Sequence, residues 1–147
     1  MSSLTLTRTI DAPVARVFQA WSDPQFMRQW FFPGEMRCEA TLDFRPGGAY
    51  ELRMIAKDGE YVHHGHYREI VDQRHISFTW NSHVATDTLV SVTFESIGER
   101  TLLTLVHSQF QEPEQQRLHE QGWTGCLTNL DRFFQNAGRE SGEEVKS

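Results

Sequence analysis

Seven histidines give this 147-residue chain its densest supply of groups that can ligate a metal or move a proton. His64 and His66, two apart, share one face if the segment is a strand, and His63 faces the other way. Two same-face imidazoles fall short of the three or four ligands that zinc takes, and neither Cys38 nor Cys126 stands at a ligand spacing from them. All three are read as exposed polar strand residues, and no metal or other cofactor is expected. His119-Glu120-Gln121-Gly122-Trp123 begins like a metalloprotease helix, but Trp123 occupies the place of the second histidine. Nucleophilic catalysis needs a nucleophile, a base and an orienting group within reach of one another. Ser108 adjoins His107, yet strand neighbours face opposite ways, and the sequence has neither a Gly-x-Ser-x-Gly elbow nor a glycine-rich phosphate loop. No catalytic residue is assigned. His107 alone stays in view. It shares a face with Leu103 and Leu105, and an imidazole in an apolar setting is either a satisfied core group or one that orients a ligand or moves a proton.

The aromatic residues offer a different chemistry. Tyr50, Phe78, Trp80, Phe94, Trp123, Phe133 and Phe134 fall on faces expected to point inward. Such rings either fill a core, each stabilising it by a few kcal/mol, or wall a cavity for an apolar small molecule. Trp30-Phe31-Phe32-Pro33 is a concentrated apolar patch with three readings: an anchor for a helix pair, a gate at a cavity mouth, or a partner surface.

The elements that must position these groups follow from hydrophobic period. Leu4 to Ile10 alternates apolar and polar, as a half-buried strand does. Asp11 and Pro13 then suit a helix start, and Val14, Val17, Phe18 and Trp21 mark one apolar helical face. Asp23-Pro24 repeats the start, with Phe26, Met27, Trp30 and Phe31 as a second short helix ended by Pro33-Gly34. From Met36 to Ser108 the period becomes 2, and turn signals separate six strands of an antiparallel meander that must curl as it twists. After Glu112-Pro113-Glu114 the period is helical again through Ala137. Leu118, Gly122, Trp123, Cys126, Leu127, Leu130, Phe133 and Phe134 lie on one side, and Gly138 is the expected stop. At 1.5 Å per residue this last helix is about 36 Å long, enough to cover a sheet. The expected organisation is one α+β domain over residues 1–138, with a polar flexible tail at 139–147.

Composition narrows the partners. Lys and Arg number 14 against 20 Asp and Glu, a formal charge of −6 with no basic cluster, so neither nucleic acid nor an anionic membrane is an expected partner. No window approaches the ~20 apolar residues of a spanning helix. MSSLTLTRTIDAP lacks the basic and apolar regions of a signal peptide, and two cysteines are no disulfide framework. A cytoplasmic protein with reduced thiols is expected.

The order of strand, two short helices, six strands and long helix resembles the helix-grip superfamily (START-like, birch-pollen-allergen-like folds). Within it the sequence is similar to the family related to the C-terminal domain of the activator of heat-shock-protein-90 ATPase. The resemblance rests on Arg8-Thr9-Ile10-Asp11-Ala12-Pro13, Val17-Phe18-Gln19-Ala20-Trp21, Gln29-Trp30-Phe31-Phe32-Pro33 and Asp43-Phe44-Arg45-Pro46-Gly47-Gly48-Ala49-Tyr50. Gly65-His66-Tyr67-Arg68-Glu69-Ile70, Ile76-Ser77-Phe78-Thr79-Trp80, Val92-Thr93-Phe94 and Gly122-Trp123 continue it, so that residues 4 to 137 are covered in order. The resemblance implies a curved antiparallel sheet around the C-terminal helix, often with a cavity between them. It implies an apolar small-molecule-binding protein whose pocket is lined by Tyr50, Phe78, Trp80, Phe94, Trp123 and Leu127, with His107 as a polar anchor. Two other roles occur on such folds: a stress-related, co-chaperone-like domain that binds a chaperone or other protein, and a cyclase- or hydrolase-like enzyme using the same cavity.

Overall fold

The computed structural model describes residues 2–32 and 37–146, with side chains described as far as residue 136. Strand β1 (Ser2–Ile10) leads into helices α1 (Val14–Ser22) and α2 (Pro24–Met27). The meander follows as β2 (Arg37–Leu42), β3 (Ala49–Ala56), β4 (Gly59–Val71), β5 (His75–Trp80), β6 (Thr88–Ile97) and β7 (Arg100–Phe110), and α3 (Pro113–Lys146) closes the chain. The seven strands form one antiparallel sheet in the order β1-β7-β6-β5-β4-β3-β2. Each meander strand pairs with its sequence neighbour, and α1 and α2 carry the chain from one edge of the sheet to the other. This is the α+β helix-grip architecture the sequence implied.

Local rules account for most boundaries. Asp23 caps α2 by accepting from the Gln25 amide at 2.8 Å, with Pro24 in the first turn, where a missing N–H costs nothing. At α1 the expected cap is not used. Pro13 takes the capping position in extended backbone, and no side chain closes that end. Helix α2 stops at Met27, so Trp30, Phe31 and Phe32 reach the core from irregular chain. Gly138 does not end α3. The residues after it include Arg139, Glu140, Glu143, Glu144 and Lys146, good helix formers that outweigh Gly138 and Gly142. The Pro33-Gly34 stop expected from the sequence lies outside the described residues.

The inner face of the sheet packs against α1 and α3. Helix α3 lies over β1 and β7 and is tied to β1 by Arg8, which donates to Asp131 at 3.0 Å and to Thr128 at 3.3 Å. Burial alternates along β7 through Thr101, Leu103, Leu105 and His107. A bulge then breaks the alternation. Gln109 takes a left-handed φ of 71°, and the pairing with β1 shifts register there. His107 and Phe110 therefore both point inward, with ring centres 4.3 Å apart.

One close approach fixes how β3, β4 and β5 fit together. Gly65 stands opposite Tyr50, whose hydroxyl crosses β4 to donate to the Thr79 carbonyl. A Cβ on Gly65 would stand 2.0 Å from that same carbonyl oxygen. Gly65→Ala is therefore expected to destabilise the protein by about 2–3 kcal/mol, as overpacking against backbone does, lowering the thermal midpoint by about 2–4 °C per kcal/mol. Calorimetry of the two proteins checks this. An unchanged midpoint would mean that β4 and β5 separate at no cost.

Candidate ligand-binding site

Between α3 and the β3–β5 half of the sheet the packing opens into a pocket of about 140 Å3. Phe31 and Phe32 form one wall, Met54, His63 and Trp80 the sheet wall, and His119, Gly122, Trp123 and Cys126 the helix wall. Leu118, 38% exposed, and Val84 of the β5–β6 loop stand at the rim. That loop is held in place. Ser82 Oγ accepts from the Val84 and Ala85 amides, and Gln115 of α3 donates to the Val84 carbonyl at 3.2 Å.

Helix α3 is fixed over the pocket by hydrogen bonds inside apolar surroundings. The Trp123 indole donates to His107 Nδ1 at 2.9 Å, and His107 Nε2 lies 2.8 Å from Thr88 Oγ1. Thr88 in turn donates to the Trp80 carbonyl at 2.8 Å. Because the hydroxyl proton is committed there, His107 must carry its proton on Nε2 and accept at Nδ1. Burial, with a smaller contribution from His119, pushes the His107 pKa down to about 2. A second pair repeats the pattern nearby. The Trp80 indole donates to His119 Nε2 at 3.2 Å, and His119 Nδ1 donates to the Gln115 carbonyl at 2.8 Å. Burial also lowers the pKa of His119.

The opposite wall is held by unusual backbone. Phe32 takes a φ of 78°, in the left-handed region that a bulky side chain rarely adopts. Two hydrogen bonds from α3 hold it there: its amide donates to Cys126 Sγ at 3.2 Å, and Asn129 donates to its carbonyl at 2.7 Å.

Of the residues implied by the resemblance, Trp80 and Trp123 line this pocket. Tyr50 and Phe78 line a separate void of about 10 Å3 deeper between the sheet and α2. Phe94 and Leu127 are buried in the core and border neither space. His107 stands behind Trp123 with both nitrogens engaged, so it orients that indole rather than facing the pocket. Phe134 is buried and Phe133 packs against the core.

One expectation is corrected, and one set of open readings is decided. His64 and His66 are exposed, but His63 is only 6% exposed and lies on the pocket wall. Trp30, Phe31 and Phe32 are all buried, so they are no partner surface. Trp30 donates to the Ala20 carbonyl at 3.0 Å and anchors the helix pair, while the two phenylalanines wall the pocket. Gly122 and Cys126 stood on the expected inner face of the last helix, but nothing marked them as bordering an open space. Met54 shares the strand face of Tyr50 and Leu52, alternating with Glu51 and Arg53, but was not marked as bordering a space, and Val84 carried no signal.

The two thiols, Cys38 and Cys126, are buried, and burial pushes each pKa up to about 12. They are expected to resist a thiol reagent in the native protein and to react once it unfolds, since the thiolate is the reactive form. Rapid native labelling of either would contradict this. The histidines predict a pH dependence. Folding holds His63 at about 4 and His107 at about 2, below the ordinary 6.5, so on unfolding each ring takes up a proton below pH 6.5. Stability is complete above pH 6.5 and falls as the pH drops, by up to about 1.4 kcal/mol per pH unit for each group. In denaturant titrations between pH 4.5 and 5.5, His107→Gln should lose about one proton's worth of that slope. An unchanged slope would mean that His107 is protonated in the fold.

Residues 11–135 match the family model described as Activator of Hsp90 ATPase homolog 1-like protein. No curated protein sequence matches the chain. Among solved structures, a protein from Chromobacterium violaceum is 25% identical with a TM-score of 0.80, over 91% of this chain and 98% of that one. A protein from Rhizobium leguminosarum is 32% identical with a TM-score of 0.69, over 92% and 95% of the two chains. The AHSA1 protein from Silicibacter pomeroyi has a TM-score of 0.78 at 24% identity, over 89% and 96%. The sheet wrapped on a long C-terminal helix and the family match over most of the sequence agree, and the chain belongs to the Activator of Hsp90 ATPase homolog 1-like family.

Proposed function

We propose that this protein binds a small, mostly apolar molecule in the pocket between the sheet and α3. The observation that carries the reading is the space at Gly122. A Cβ there would meet nothing within 4 Å, although the position is inside a helix, where alanine is about 1 kcal/mol more favourable than glycine. The pocket of about 140 Å3 is close to the engineered apolar cavity of about 150 Å3 that takes up benzene. Its groups suit binding rather than reaction: the Cys126 thiol is held protonated by burial, and His119 has both nitrogens engaged. The aromatic patch Trp30-Phe31-Phe32 is internal and so offers no docking face for a chaperone or other protein. Two buried reduced thiols suit the cytoplasm, and among the described residues no helix is long and apolar enough to cross a membrane.

Benzene, toluene and indole, followed by thermal unfolding, test the proposal. A ligand at ten times its dissociation constant stabilises the native state by about 1.4 kcal/mol, which raises the midpoint by about 3–6 °C. Gly122→Leu fills the pocket without a helix penalty, so it should fold and lose the response. Failure of all three compounds to move the wild-type midpoint, or an equal response in Gly122→Leu, refutes the pocket reading.

A further inference from the structure

Among the described residues, the pocket's polar groups are satisfied by the protein itself, with one exception. The Trp80 indole is committed to His119, the Trp123 indole to His107, and His119 Nδ1 to the Gln115 carbonyl. Cys126 Sγ accepts from the Phe32 amide, and Ser82 Oγ accepts from two loop amides. His63 differs. Its ring lies between Phe32, 4.9 Å away, and Trp80, 5.1 Å away; its Nδ1 is enclosed within the protein, the Leu52 and Tyr61 carbonyls are close by, and no side chain hydrogen-bonds the ring. The ring forms none of the hydrogen bonds seen at His107 and His119. A buried polar group left in this condition marks either an uncompensated cost or a place where a ligand supplies the missing partner.

We propose that the pocket takes an uncharged, single-ring molecule bearing a hydroxyl group, a phenol or a cyclic alcohol of similar size, with the hydroxyl hydrogen-bonded to His63. The proposal rests on the pocket reading above and narrows it. Size limits the ligand to about one ring, because the space matches a cavity that takes benzene. The walls suit a flat ring. Trp80 and Trp123 have centroids 5.2 Å apart, and Phe31 meets Trp123 edge-on at 5.6 Å, an aromatic enclosure open at the rim. Charge is excluded by what is missing: among the described residues no Lys, Arg, Asp or Glu lines the pocket. A carboxylate or an amine entering it would lose hydration without a counter-charge. Burial, with the nearby His83 next, pushes the His63 pKa down to about 4, and the Leu52 and Tyr61 carbonyls offset only part of this. At neutral pH the ring is therefore uncharged, offering one nitrogen that accepts and one that donates. A hydroxyl both donates and accepts, so it can bond Nε2, the ring nitrogen that is not enclosed, in either tautomer.

Three molecules of nearly equal size separate the possibilities: toluene, p-cresol and p-toluate, titrated calorimetrically against the wild type, His63→Phe and Gly122→Leu at pH 7.5. The wild type should bind p-cresol about tenfold more tightly than toluene, the range of one net hydrogen bond, and should not bind p-toluate. His63→Phe keeps a ring of similar size and should fold, with its thermal midpoint confirming that. It should bind toluene as before and lose the preference for p-cresol. Gly122→Leu should bind none of the three. Equal affinities for toluene and p-cresol, measurable binding of p-toluate, or a preference that survives in His63→Phe each overturn the hydroxyl proposal while leaving the apolar pocket standing. Absence of toluene and p-cresol binding in the wild type overturns both.

Discussion

The hydrogen bond from the Trp123 indole to His107 settles where the long helix sits, and the pocket exists because the helix sits there. Apolar contact between a helix and a sheet is non-directional and tolerates sliding by a fraction of a turn. A buried indole N–H does not, because moving it away from its acceptor leaves both groups unsatisfied. His107 passes the constraint to Thr88, and Thr88 passes it to the Trp80 carbonyl, so one helix position is tied to β7, β6 and β5 in turn. Trp80 answers with its own indole, donated to His119 one turn before Trp123 on α3. Two tryptophan–histidine pairs, one donated in each direction between sheet and helix, prevent the helix from settling into the space beside Gly122.

This arrangement assigns the polar and apolar groups different tasks. The aromatic cluster of Trp21, Trp30, Phe31 and Trp123, with ring centroids about 5–6 Å apart, supplies the burial that drives folding. It would supply nearly as much if α3 settled closer to the sheet. The neutral imidazoles specify which of those packings is adopted. Neutrality is part of the specification, since a protonated His107 could not accept from Trp123.

Pattern made the fold legible. The shift from period 3.6 to period 2 after Met36, the return after Pro113, and the parity of Leu103, Leu105 and His107 give the strands, the helices and the inward histidine. The pocket was harder to read, for particular physical reasons. In β4 the exposed Val62 and the buried His63 invert the usual pattern, so hydrophobicity alone turns the strand the wrong way. Consecutive buried aromatics at Phe31 and Phe32 fit neither period, because the left-handed φ at Phe32 redirects the chain. Away from the pocket, the bulge at Gln109 likewise moves Phe110 onto the face that parity denies it. Gly122 resembles any glycine that a helix tolerates, and only the three-dimensional packing reveals the empty volume beside it.

Three of the features that escaped the sequence rules share one location. A mid-helix glycine, a phenylalanine in left-handed backbone and an enclosed imidazole that no side chain hydrogen-bonds each make the fold less stable than an ordinary alternative would. Scattered over the molecule, three such departures would be unremarkable in a protein of this size. Here Gly122, Phe32 and His63 border the same 140 Å3. Three local departures thus meet around one volume, where departures from optimal stability are expected if that volume has a task. The hydrogen bonds of Phe32, donated to Cys126 and accepted from Asn129, maintain the strained wall instead of relieving it. A packing defect would need no such support, whereas a binding site must keep its shape before the ligand arrives.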